Sequence, residues 1–203
     1  MAEECYLAYQ PVELWVRALN SDGTVDSSGT WYVSDNIIDW DFAPEIEEGT
    51  KQTTRCGGRV KNVMQEDDQM VGGTLKLTLC CEDPEIQYIV GGSVGTVVYD
   101  SSSPPVPIGY AEPTLDEQAN ALDFECRVYV EVINGSNVVG YKRLSFYDCG
   151  PAYFSEGGGQ QESPTPEVTI KCSENPNYGK SSSPPEVKGV YDWQFITNLG
   201  SET

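Results

Sequence analysis

No histidine occurs anywhere in the 203 residues. That absence removes the commonest general base, the usual zinc ligand and every Ser-His or Cys-His nucleophile pair. Cations are scarce as well, with 12 Lys plus Arg against 32 Asp plus Glu for a formal net charge of -20. Such a molecule repels phosphate within a Debye length of about 8 Å at physiological salt, which argues against a duplex-binding grip of clustered cations. No stretch approaches the ~20 apolar residues of a membrane span. The start, MAEECYLAYQPVELW, has neither the basic opening nor the apolar run of a secretory signal. The expectation is a product made in a cytosol, without a membrane anchor.

What is present is a turn-rich chain with enough apolar residues for a core: 38% hydrophobic, with 13 Pro and 20 Gly. A length of this order suits one all-β domain, which runs to roughly 200–250 residues without splitting, so residues 1–203 are read as a single domain. Period-two alternation recurs throughout, the mark of strands with one buried face. VELWVRAL, TWYVS at 30–34, IIDWDF, LKLTLCC, EVTIKC and VYDWQFI all show it. The clearest case is FECRVYVEV, where Phe124, Cys126, Val128, Val130 and Val132 alternate with Glu125, Arg127, Tyr129 and Glu131. Asn134-Gly135 then turns it into VVGYKRLSFY as a hairpin. The fold class that follows is all-β, a β-sandwich or partly closed barrel of short antiparallel strands.

One short α-helix interrupts the strands, over about 84–90. Asp83 is placed to cap it, Pro84 suits the first helical position, and Glu85 sits at the positive end of the dipole. Ile86, Ile89 and Val90 share a face and Gly91 supplies the stop. Just before it lie Cys80 and Cys81. Strand alternation carried through them predicts that the two thiols point to opposite faces, with Cys81 on the apolar side, and so do not converge on a metal. The seven cysteines (5, 56, 80, 81, 126, 149 and 172) are an odd number, so any pairing within the chain leaves a thiol over, and buried free thiols are expected.

Charge is unevenly spread. The first fifty residues hold eleven acids and one cation, Arg17, whereas TKQTTRCGGRVKNVMQ at 50–65 contains Lys51, Arg55, Arg59 and Lys61 and no acid. This reads as a long hairpin arm, about 43–73, whose natural electrostatic partner is the acidic surface of another copy, such as Glu45, Glu47 and Glu48. A solvated loop without a partner fits the charge equally well. The remaining constellations carry little chemistry. Asp39 and Asp41 flank Trp40 as a carboxylate pair on a half-exposed strand, Glu66-Asp67-Asp68 lacks calcium-loop spacing, and the glycines at 157–159 lack a following Lys-Ser/Thr. No catalytic, cofactor-binding or metal-ligating residue is expected.

The order of elements then becomes informative. A strand pair joined by a long polar arm ending in Gly-Gly comes first. LKLTLCCEDPEIQYIVGG, the FECRVYVEV hairpin and a late RLSFYDCGPAYFSEGGGQQESPTPEVTIKC complete it. Together they resemble the major tail tube proteins of long-tailed (siphovirus-like) bacteriophages. The resemblance implies a β-sandwich subunit in six-membered rings that stack into an acidic-lined conduit for the genome, which passes without specific binding. Its partners would be copies of itself and other tail proteins at the tube ends, and its place the virion tail. Subunit contacts would involve the four arm cations with Glu45, Glu47, Glu48, Asp83 and Glu85, and Cys5, Cys56 and Cys80 are candidates for thiols between subunits. The second reading is a capsid decoration or host-glycan adhesin, with Trp31, Tyr32 and Trp40 as a sugar platform.

Overall fold

Alternation of buried and exposed side chains organises nearly the whole chain into antiparallel strands. The computed structural model describes residues 7–25, 29–56, 59–65, 67–155, 165–179 and 186–199. In chain order these form β1 (Leu7–Ala18), β2 (Tyr32–Ser34), β3 (Ile37–Glu47), β4 (Lys51–Cys56), β5 (Arg59–Gln65) and β6 (Gln69–Leu79), then helix α1 (Pro84–Val90). Next come β7 (Thr96–Tyr99), β8 (Pro107–Ala111), helix α2 (Leu115–Gln118), β9 (Phe124–Asn134) and β10 (Asn137–Cys149). β11 (Glu167–Ser173), β12 (Asn175–Gly179), β13 (Glu186–Lys188) and β14 (Tyr191–Ile196) complete the set.

One sheet of eight strands runs β2-β1-β9-β10-β11-β6-β3, with β14 added on β10. Strand β10 is the pivot of this arrangement. From Tyr141 to Phe146 its free edge pairs with β14, and beyond that β11 takes over through one register pair, Cys149↔Cys172. The pairing of β9 with β10 slips between Phe146 and Cys149 at the same point. The sheet therefore has two limbs that share β10. They close on each other as a sandwich: Phe42 of β3 packs at 5.1 Å from Phe146 of β10 and 4.9 Å from Tyr191 of β14, centroid to centroid.

The core draws on both limbs. Leu14 and Val16 of β1, Val128 of β9, Leu75, Leu77 and Leu79 of β6 and Ile170 of β11 are fully buried in one cluster. Each such side chain contributes about 1.5–3 kcal/mol by leaving water. The β3 alternation needs one correction. A bulge between Ile37 and Asp39 turns Ile37 into the core and leaves Ile38 exposed, after which Trp40 and Phe42 resume the inward face. Residues 43–47 and 69–73, read above as part of the arm, stay paired in the main sheet as far as Glu47↔Gln69. The arm proper is the β4–β5 hairpin beyond them.

Helix α1 forms where expected. The Asp83 carboxylate accepts from the Glu85 and Ile86 N–H groups, Pro84 opens the helix, and Ile86 and Val90 are its buried residues. Gly91 caps its C-terminus as expected, and the left-handed residue follows at Gly92, with φ +89 and a Cβ there 2.6 Å from that of Ala121. The β9–β10 turn has Gly135 at φ +66, with Asn134 and Asn137 paired across it.

Candidate assembly surface

The arm is a two-stranded sheet of its own, β4 with β5, with Arg55 paired to Val60 and Cys56 to Arg59. It springs from the end of β3–β6, where Glu45, Glu47 and Glu48 are exposed. Gly49 and Thr50 lead into it, and the Asp68 carboxylate accepts from the Gly49 N–H at 2.9 Å. That bond gives Asp68 a structural task in place of the cation site considered above. Ile46, Met70 and Val71 are exposed beside the acids, so the root of the arm is acidic and apolar together. Among the described strands β3 is ladder-paired only with β6 and ends the sheet, so its other edge has no ladder partner there.

The residues expected at subunit contacts separate into two groups. Glu45, Glu47 and Glu48 share the arm's root, and the backbone places Lys51, Arg55, Arg59 and Lys61 along the hairpin above them. Asp83 does not belong with them. Its side chain is buried, and besides capping α1 it accepts from Tyr32 Oη, Ser34 Oγ and Asn36 Nδ2. A carboxylate with that many internal donors is spent within its own chain. Burial, and then the Asp83 charge, push the Tyr32 phenol well above its usual range. Cys5 lies outside the described residues, as do 156–164, with the glycines at 157–159.

Glu85 belongs to a different place, a groove of about 570 Å³ between α1, the approach to β2 and the β7–β8 hairpin. Tyr99 donates to the Glu85 carboxylate at 3.1 Å, which raises the phenol's pKa. Trp31, Tyr32 and Tyr88 complete an aromatic lining. Trp31 is held by a network that alternation did not reveal. Glu125, on the face of β9 opposite the core, is completely buried: Arg17 reaches its Oε2 at 2.5 Å, Arg127 reaches Oε1 at 3.1 Å, and Tyr178 donates to it at 3.1 Å. Both guanidinium groups lie 4.3 Å from the Trp31 ring centroid. Trp40 does not line this groove, so it does not join Trp31 and Tyr32 there in the sugar platform considered above.

No family model matches the chain, and no curated protein matches it.

The cysteines correct a second expectation. Strand β6 ends at Leu79, so alternation does not extend to Cys80 and Cys81; both thiols are exposed, with their Sγ atoms 3.8 Å apart. Cys81 is therefore not on the apolar face. Cys126, Cys149 and Cys172 are buried free thiols as expected, with 3.6 Å between the sulfurs of Cys149 and Cys172. Burial holds the Cys126 and Cys149 thiols well above their ordinary range. Asp39 and Asp41 are exposed beside Lys76, which pairs with Glu167 at 2.8 Å. Among the described residues no group of three His, Cys, Asp or Glu side chains is placed to hold a metal ion. No helix among them is long and apolar enough to cross a membrane.

A hollow of about 310 Å³ near the arm's root holds Asp148, Asp123, Glu45 and Lys171. Burial first, and then the Asp123 charge, push the Asp148 carboxyl up to about 6, against a donated bond from Ser173 at 3.1 Å. A raised acid pKa means that the folded state holds its proton more tightly than the unfolded chain. The associated stability is present below about pH 4 and lost as pH rises through 6. Asp148→Asn is therefore expected to raise stability at pH 8 by about 1 kcal/mol, discounted for partial exposure, and to lose that gain near pH 4. Urea titrations at the two pH values measure the difference, and equal gains at both would refute the assignment.

Proposed function

We propose that this chain is a structural virion protein, the tail tube subunit of a long-tailed bacteriophage, self-assembling into stacked six-membered rings. The observation that carries the reading is the β4–β5 hairpin. It pairs with no other described strand, holds four cations and no acid in a chain of net charge -20, and rises from an acidic and apolar root. Self-repulsion between such acidic subunits has to be offset where they meet, and an arm of opposite sign does so with directional selectivity. The open edge of β3 offers main-chain pairing to a neighbour, which turns an aggregation liability into an assembly contact. A lumen of negative potential lets a phosphate backbone pass without gripping it. The tail of the virion is then its place and the host cytoplasm its site of synthesis. Nothing in this reading calls for catalysis or a cofactor.

Negative-stain microscopy of the concentrated protein tests it. Rings or tubes are expected, and they should weaken as salt shortens the Debye length toward about 3 Å at 1 M. Strictly monomeric particles at every concentration would sink the proposal. The groove beside α1 favours a second reading, a β-sandwich decoration or adhesin module, because Tyr88 and Tyr99 line a concave surface with Glu85 between them. A monomer that binds glycans, and loses them on Tyr99→Ala, would support that reading instead.

A further inference from the structure

We propose that Cys80 and Cys81 form a two-thiol chelating site for a soft divalent cation of the zinc and cadmium class. Two thiolates bound to one tetrahedral ion through ~2.3 Å bonds stand about 3.8 Å apart. The Sγ atoms of Cys80 and Cys81 are 3.8 Å apart, so the bite is formed before any ion arrives. Both residues are exposed, which leaves the remaining coordination positions open to water or to a donor from another molecule.

The backbone holds the pair from both sides. The Cys80 N–H donates to the Asn36 carbonyl at 2.8 Å, and its thiol donates to Asn36 Oδ1 at 3.5 Å. Two residues on, Asp83 is fixed by the helix it caps and by Tyr32, Ser34 and Asn36. A preformed pair loses little conformational freedom on binding, and the second thiol engages at high effective concentration once the first is bound. Soft thiolate ligands select this class of ion over magnesium or calcium. The surroundings are suited to a cation: the carboxylates Asp35 and Asp83 act on the Cys81 thiol.

Burial first, and then its neighbour Cys80, raise the Cys81 thiol above its ordinary range. Binding exchanges two S–H protons for two metal–sulfur bonds and releases both protons to solvent, with no change of oxidation state. Affinity then falls by about a hundredfold per unit of pH below the thiol range, the signature of two protons displaced together.

Cadmium titration of the reduced protein, followed by ultraviolet sulfur-to-cadmium charge-transfer absorbance, tests the site. The surface carboxylates do not produce that band. One equivalent is expected to saturate it. Cys80→Ser and Cys81→Ser should each abolish it and weaken binding at least a hundredfold, while Cys5→Ser and Cys56→Ser leave it intact. Unchanged melting of the serine variants shows that the fold persists. Absence of the band in the reduced wild-type protein, its survival in Cys80→Ser or Cys81→Ser, or its loss in Cys5→Ser or Cys56→Ser would overturn the assignment.

Discussion

Replacing Glu125 with alanine is expected to destabilise the folded chain by roughly 3–5 kcal/mol, because it leaves two guanidinium groups without their buried counter-charge. Arg17 and Arg127 both converge on that carboxylate, which has no exposed surface, and Tyr178 adds a third donor. For a domain of this length each kcal/mol shifts the melting temperature by about 2–4 °C, so a loss on the order of 10 °C is expected. The damage should extend to Trp31, whose position depends on the two cations stacked on it. A change in Trp31 fluorescence should therefore accompany the loss. Replacing the whole group with apolar residues of similar volume, as in Arg17→Met with Glu125→Leu and Arg127→Met, should recover part of the stability, since a buried ionic cluster stabilises little over a packed one. A Glu125→Ala protein within 1 kcal/mol of wild type would show that the network adds nothing the solvent could not replace.

Reversing charge on the arm, Arg55→Glu with Arg59→Glu, is expected to raise the concentration needed for assembly by a hundredfold or more, about 2.7 kcal/mol per contact. Like charges brought together at an interface cost several kcal/mol, and in the proposed assembly the reversed arm would meet the acids at the root of a neighbour's arm. The monomer should fold normally, because β4 and β5 pair with each other and not with the main sheet. Mixing the reversed subunit with one carrying Glu45→Lys, Glu47→Lys and Glu48→Lys should restore co-assembly. Light scattering across a salt series reads both effects. Assembly that is unchanged in extent and in salt dependence would remove the arm from the contact while leaving ring formation to be tested by microscopy.

Much of the scaffold was legible because it obeys short-range rules. The alternation of FECRVYVEV appears as β9, with Phe124, Cys126, Val128, Val130 and Val132 all buried, and the Asp83-Pro84 start appears as α1. Three things escaped for physical reasons. Alternation assigns a face but not what covers it, so Glu125 read as solvent-facing although distant residues, Arg17 and Tyr178, enclose it. Alternation also carries no mark for where a strand ends, and an overrun of two residues sent Cys80 and Cys81 to opposite faces. Helix α2 left a legible trace, the Thr114…Glu117 capping box, but its four residues present no apolar stripe, and Leu115 is 84% exposed. The candidate assembly surface was legible only as charge: the four cations of 51–61 were visible, while the internal use of Asp83 depends on Tyr32, Ser34 and Asn36 some fifty residues away.

Strand β10 has a mechanical consequence. Among the described strands it alone is common to both limbs, held to β9 along nearly its whole length and to β11 by the single pair Cys149↔Cys172. Peeling off the β11-β6-β3 limb would strip the covering from Phe146, and peeling off β9 would leave β10 held only along its other edge, by β14 and β11. A pull on the arm, which continues β3 and β6, is carried through β11 to β10 across that junction, so a force applied at one edge of the molecule reaches β9 and β1 through a single ladder pair.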